Sequence, residues 1–160
     1  MVILLDLDGV LITTPAWRAV ETAPDGFCQF NARATANLAG LLTETKAALV
    51  LTTSHRLRYS VAHWTTLLNG RGLFPSAITK VNDRATLPPA GARAGEIEAW
   101  VSQHGPANYV VLDDDLSLHG LPPALKSRCV ITKPLLGLDG DAARQALAIL
   151  RGPATPTLPC

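Results

Sequence analysis

Apolar and polar positions along this chain come in blocks. Val2-Ile3-Leu4-Leu5, Ala47-Ala48-Leu49-Val50-Leu51, Tyr109-Val110-Val111-Leu112 and Cys129-Val130-Ile131-Thr132 are short apolar runs bounded by polar or turn-forming residues. Their length and continuity predict strands buried on both faces, as in a parallel sheet. Ala77 to Val81 predicts a shorter fifth strand. Between these runs the spacing turns helical. Leu38, Leu41 and Leu42 share one face of a helix predicted over Asn31 to Glu44, with Asn31 in the cap position. Leu57, Val61, Trp64, Leu67 and Leu68 predict a second helix, stopped by Asn69-Gly70. Ile97, Trp100 and Val101 predict a third from Arg93 to His104, closed by Gly105-Pro106, and Ala142, Ala146, Ile149 and Leu150 a closing one. Thr13 to Phe30, with Pro15, Pro24 and Asp25-Gly26, reads as a loop holding one short helical or hairpin element, and Pro88-Pro89-Ala90-Gly91 as a plain loop. Strands alternating with helices imply an α/β fold, a three-layer α/β/α sandwich around a central parallel sheet of about five strands.

Length and composition narrow the setting. With 160 residues and no internal repeat, the chain is expected to form one domain over residues 1–150, followed by a Pro-rich tail over 151–160. Fourteen basic against 13 acidic side chains leave a net charge of +1, so no global field recruits nucleic acid or an anionic membrane. No apolar run is long enough to cross a bilayer, and the acidic start Val2 to Asp8 is unlike a signal peptide. Three cysteines without C-x-x-C spacing argue against structural disulfides and a zinc site, and for a reduced, cytoplasmic setting.

The chemistry collects where the strands end. Asp6 and Asp8 follow the first, Thr52, Thr53 and Ser54 the second, and Asp113, Asp114 and Asp115 the third clear one. A strand buried on both faces has no cheap place for a carboxylate, and in open α/β sheets ligands bind at the carboxyl ends. Several acids gathered at one edge repel one another unless protons or a cation neutralise them. Oxygen ligands without His or Cys point to Mg²⁺, which takes few carboxylates and completes its shell with water and substrate phosphate.

These residues resemble the haloacid dehalogenase (HAD) superfamily of phosphotransferases. Asp6-Leu7-Asp8-Gly9-Val10 is similar to its first motif, Val50-Leu51-Thr52-Thr53-Ser54 to its second, and Val110-Val111-Leu112-Asp113-Asp114 to its fourth, in the right order. More narrowly, Leu51 to Arg56, Arg93-Ala94-Gly95-Glu96-Ile97 and Gly137-Leu138 look like capless HAD domains of bacterial proteins, some of them multidomain RNA-repair proteins. The resemblance implies a central first strand and a phosphomonoester hydrolase. Asp6 would be the nucleophile that forms an aspartyl-phosphate, and Asp8 the group that protonates the leaving oxygen and later takes a proton from water. Mg²⁺ would bind Asp6, the backbone carbonyl of Asp8, and either Asp113 or Asp114. Thr53, or Thr52 if the strand ends a residue earlier, would hydrogen-bond the phosphate, helped by the amide of Ser54.

The pattern departs from the family at its cation, usually a Lys near the start of the helix before the acidic strand. Arg93 holds that place here, and Lys80, at the end of the short strand, is the competitor. Arg56 is a further candidate for phosphate or substrate, read otherwise as a helix-start residue on a solvated face. His55 is read as a partly exposed first-turn residue with a leaving-group contact as the alternative, Asp115 as an outer support of the metal site, and Trp17, Trp64 and Trp100 as packing residues.

A phospho-receiver module is the competing class, since Thr132-Lys133-Pro134 looks like its last motif; the order of acids and hydroxyls along the chain argues against it. Neither slot for a cap, Leu11 to Phe30 or Ser54 to Ala92, has room for a separate domain. An open site suits a phosphate carried on a nucleotide or polynucleotide end, with a small phosphorylated metabolite as the alternative. Arg56, Arg58, Arg71, Lys80, Arg84 and Arg93 follow the second motif and are expected to form a modest basic rim.

Overall fold

The structure, a computed structural model, describes residues 1–86, 89 and 91–153. Five strands form one sheet: β1 (Val2–Leu5), β2 (Ala48–Leu51), β3 (Ile78–Lys80), β4 (Tyr109–Asp113) and β5 (Cys129–Ile131). All pairings are parallel and the order is β3-β2-β1-β4-β5, with the first strand in the centre. Side chains alternate across the sheet, so β1 feeds both layers of core: Ile3 and Leu5 face one side and Leu4 the other.

On the first side lie α1 (Ala32–Thr45), α2 (Val61–Gly70) and α5 (Gly140–Arg151), which bury Leu38, Leu42, Trp64, Leu68, Ala146 and Leu150 against Leu49, Leu51, Val110 and Leu112. On the second, α3 (Arg93–His104) and a 3₁₀ turn over Leu116–Gly120 bury Ile97, Trp100 and Leu118 against Leu4, Val50 and Val111. The result is the expected three-layer α/β/α sandwich.

Local chemistry sets the helix ends. Asn31 caps α1 by accepting from Ala34 N at 3.0 Å, Asp139 caps α5 through Ala142 N at 2.9 Å, and Gly105 ends α3 in the left-handed region at φ 52°. One boundary differs from the sequence pattern. Leu57 belongs to a 3₁₀ turn over Ser54–Leu57, and α2 starts only after its own cap, Ser60. The turn carries His55 and Arg56 to partners described below, and those contacts override the helical spacing. The short helix α4 (Pro123–Lys126) had no periodic signal, because it buries no residue.

Neither cap slot holds a domain. After β1 the chain makes one tight turn and a small hairpin closed by a Thr22–Cys28 bridge around Asp25-Gly26, and between β2 and α3 the described residues hold only the 3₁₀ turn, α2 and β3. Helix α5 runs to Arg151; beyond Pro153 the expected tail lies outside the described residues, as do Pro88 and Ala90 of the expected Pro-rich loop. Among the described residues no helix is long and apolar enough to cross a membrane.

Candidate active site

Because every strand is parallel, all carboxyl ends share one edge. The strand order runs outward from β1 through β2 to β3 and then restarts on the other flank with β4, so the topological switch point lies between β1 and β4, where such sheets open a crevice. Asp6 and Asp113 lie at the two sides of that point. The ladder continues one residue past β1, with Asp6 N donating to Leu112 O at 3.0 Å and Thr52 N to Leu5 O at 2.9 Å, so Asp6 is held between Thr52 and Asp113.

The chain then turns sharply. Val10, Leu11 and Ile12 donate to the single carbonyl of Leu7 at 3.2, 2.9 and 2.8 Å, and Gly9 supplies the φ of +70° that the turn needs. Thr132 Oγ1 donates to Gly9 O at 2.7 Å and fixes this turn to the end of β5. Asp6 stays inside while Asp8 emerges with its side chain 55% exposed. Gly9 is also demanded sterically. A Cβ there would lie 2.2 Å from Asp114 Oδ2, so the missing side chain is the space that Asp114 uses to turn inward.

Asp6, Asp113 and Asp114 thereby bring one carboxylate oxygen each within 4.8 Å of one another. Burial, and then the neighbouring charge of Asp6, pushes Asp113 up to about 7 against the opposing pull of Arg93. Asp6 and Asp114 are raised for the same first reason, burial, with Arg93 and Thr53 holding Asp6 back. Asp6 Oδ1 is buried without a hydrogen-bond partner. An orphaned oxygen among three convergent carboxylates fits a hard divalent cation, which takes oxygen ligands and relieves the repulsion. Asp115 supports the site from behind: its N–H donates to Asp113 Oδ1 at 3.0 Å, and its carboxylate caps the following 3₁₀ turn through Ser117 N at 2.8 Å.

Arg93 reaches the same carboxylates. Its Nη1 lies 2.5 Å from Asp113 Oδ2 and 3.5 Å from Asp6 Oδ1, and donates to Thr52 Oγ1 at 3.4 Å. A cation in the first turn of α3 opposes the helix dipole, and Ala92 offers no side-chain cap. Burial also works against the charge, yet Asp113 and Asp6 more than compensate and the guanidinium is held above its usual range. Both hydroxyls of the second strand are buried: Thr52 faces Arg93, and Thr53 accepts from His55 N at 3.3 Å, while Ser54 is exposed.

Four expectations are corrected. Lys80 does not reach the carboxylates, because its Nζ donates to Tyr59 O at 2.8 Å. Arg56 is neither solvated nor free for substrate: it is 1% exposed, its Nη2 pairs with Glu96 Oε1 at 2.7 Å, and its Nη1 donates to Thr52 O and Thr53 O at 3.1 and 3.0 Å. Burying an arginine requires such a partner, and Glu96, which also accepts from Asn82 Nδ2 at 2.8 Å, comes from the first turn of α3. The basic rim shrinks accordingly, since Arg71 is tied to Asp25 and lies over the Phe30 ring, and Arg58 lies over Phe27 and Tyr59. Of the tryptophans, Trp64 and Trp100 are buried, but Trp17 is 82% exposed, in a stretch over 16–22 that is exposed throughout.

Two contacts lay beyond the sequence reading. Glu96 stood in the sequence only as part of Arg93-Ala94-Gly95-Glu96-Ile97 with no role of its own, and the fold pairs it with Arg56. His55 Nε2 meets Asp8 Oδ2 at 3.0 Å, and the hydrogen bond to Asp8 holds the imidazole above its usual range despite partial burial. Its position directly after the hydroxyl run was the available signal.

Residues 2–143 match the family model of the HAD domain in Swiss Army Knife RNA repair proteins. The chain belongs to that family. No curated protein and no solved structure matches it significantly. As a HAD domain it falls in a superfamily of phosphatase-type hydrolases. Its strand order also separates it from the receiver alternative, because flavodoxin-like sheets run 2-1-3-4-5.

Proposed function

We propose that this HAD domain is a Mg²⁺-dependent phosphomonoester hydrolase that works through an aspartyl-phosphate on Asp6. The observation that carries the reading is the convergence of Asp6, Asp113 and Asp114 on one point at the switch of the sheet, with Arg93 and the Thr52 and Thr53 hydroxyls beside it. Asp6, Asp113 or Asp114, and the Asp8 carbonyl are the groups that would hold the ion. When bound, Mg²⁺ neutralises the carboxylates and the incoming phosphate, lowering the repulsion between nucleophile and substrate.

Asp6 attacks phosphorus, and the bond to the leaving oxygen breaks as Asp8 delivers its proton to that oxygen. Water then attacks the acyl phosphate, Asp8 takes its proton, and inorganic phosphate leaves Asp6 free. Arg93 and a threonine hydroxyl, with the Ser54 amide, stabilise the non-bridging oxygens. Neither Arg56 nor Lys80 takes part.

The substrate proposed is a phosphate at a nucleotide or polynucleotide end. The RNA-repair family supports it, as does the uncapped mouth where Asp8 and Ser54 are exposed. With few free cations around the mouth, recognition centres on the terminal phosphate. Asp6→Asn should abolish release of phosphate from an aryl phosphate while preserving the melting curve, and excess EDTA should do the same to the wild type. Retained turnover in either case overturns the mechanism. If sugar phosphates exceed 5′- and 3′-phosphorylated oligonucleotides in kcat/KM by about tenfold, a gap of about 1.4 kcal/mol, the substrate class is wrong.

A further inference from the structure

Asp8 has to reach a leaving oxygen from a position in which its side chain is 55% exposed. An exposed carboxylate samples several rotamers, whereas proton transfer needs a donor already within hydrogen-bond reach. We propose that His55 is the positioning residue that aims Asp8, so that attack on unactivated phosphate esters depends on the His55–Asp8 pair. This rests on the phosphatase reading above and deepens it.

The geometry is specific. His55 Nε2 holds Asp8 Oδ2 at 3.0 Å, which leaves the other carboxyl oxygen for the substrate. The imidazole is itself fixed. Its backbone N–H donates to Thr53 Oγ1 at 3.3 Å, which locks the 3₁₀ turn to the phosphate-binding hydroxyls. Its ring stands edge-on to the fully buried Phe27, with centroids 5.2 Å apart and planes at 89°. Phe27 belongs to the hairpin after β1, where its N–H donates to Asp25 Oδ1 at 3.0 Å, and it also packs edge-on to Trp64 at 5.2 Å. The aim of Asp8 is thus set by the second strand and by the hairpin together, two elements that meet only in the folded protein. The following residue, Arg56, is the buried partner of Glu96, so the turn that presents His55 is anchored on its far side as well.

Leaving groups separate this role from a merely structural one. A nitrophenolate departs without a proton, while the alkoxide of a nucleoside hydroxyl requires one, and a positioned general acid contributes about 10²–10⁴ to that step. The test compares p-nitrophenyl phosphate with a 5′-phosphorylated dinucleotide for the wild type, His55→Ala, His55→Gln and Asp8→Asn, all with Mg²⁺. In His55→Ala the ratio of kcat for the alkyl ester to kcat for the aryl ester should fall at least about tenfold, with KM little changed. Asp8→Asn should shift the ratio in the same direction and further, and adding His55→Ala to it should shift the ratio no more. His55→Gln, whose amide can donate the same hydrogen bond, should recover part of the loss. Equal losses on both esters, or an unchanged ratio, overturn the proposal while leaving the phosphatase reading intact. A wild type that turns over neither ester overturns both.

Discussion

Replacing Arg56 distinguishes the buried strut seen here from a substrate contact. The guanidinium meets Glu96 at 2.7 Å, with the two side chains 1% and 5% exposed, and carries the carbonyls of Thr52 and Thr53 as well. In Arg56→Ala, Glu96 keeps only the Asn82 amide and Thr52 O loses its side-chain donor, while Thr53 O keeps the backbone N–H of residue 56. Breaking one side of a buried pair costs about 3–5 kcal/mol, which for a domain of this size is a fall of roughly 6–20 °C in Tm. Urea unfolding followed by circular dichroism would measure it for Arg56→Ala, Glu96→Gln and the double variant. The two single costs should exceed the double-variant cost by about 0.5–3 kcal/mol, the range for residues in contact. Arg56→Met with Glu96→Leu should restore much of the loss, because an apolar pair of similar volume leaves no charge buried. A cost below about 1 kcal/mol in Arg56→Ala with a raised KM would refute the strut and return Arg56 to the substrate.

Three further outcomes are expected. Arg93→Ala should lower kcat by about 10²–10³, whereas Lys80→Ala, which loses one hydrogen bond to Tyr59, should cost about 1 kcal/mol of stability and leave kcat within about threefold; steady-state kinetics on both variants would expose the reverse ranking. Gly9→Ala puts a methyl 2.2 Å from Asp114 Oδ2 at a φ of +70°, so calorimetric Mg²⁺ affinity should fall with a stability loss of about 1–3 kcal/mol, and unchanged affinity would remove Asp114 from the metal site. In EDTA, the raised carboxyl of Asp113 means that the folded state binds more protons than the unfolded one between about 3.8 and about 7, and burial raises Asp6 and Asp114 in the same direction. The raised imidazole of His55 acts in the same direction, its stabilisation being full below 6.5 and lost as pH rises through the folded value. Stability without metal should therefore fall from pH 5.5 to 7.5, and Mg²⁺, which requires the ionised carboxylates, should raise Tm more at pH 7.5 than at 5.5; a metal-free Tm that rises over this interval would contradict the shifts.

Much of the scaffold follows from local rules that a sequence carries openly. Continuous apolar runs such as Val2 to Leu5 have no wet face, so they become central strands, and Asn31 and Gly105 mark helix ends because the backbone groups there need a cap or a left-handed residue. The acids could only stand where those strands stop, which is why Asp6, Asp8, Asp113 and Asp114 drew attention before any contact was known. Tertiary structure decided which of them converge. The strand order places Asp6 beside Asp113, and the missing Cβ of Gly9 admits Asp114. It also decided which cations are free. Arg56, Arg93 and Lys80 are chemically alike as sequence symbols, but their fates depend on Glu96, on the carboxylates and on the Tyr59 carbonyl, partners 40, 20 and 21 residues away. Long polar side chains report little about their surroundings until the chain has folded, because burial makes a charge seek whatever partner the packing brings near. Apolar periodicity is a statement about local geometry and survives in the sequence, whereas the pairing of a buried charge exists only between segments that the fold has brought together.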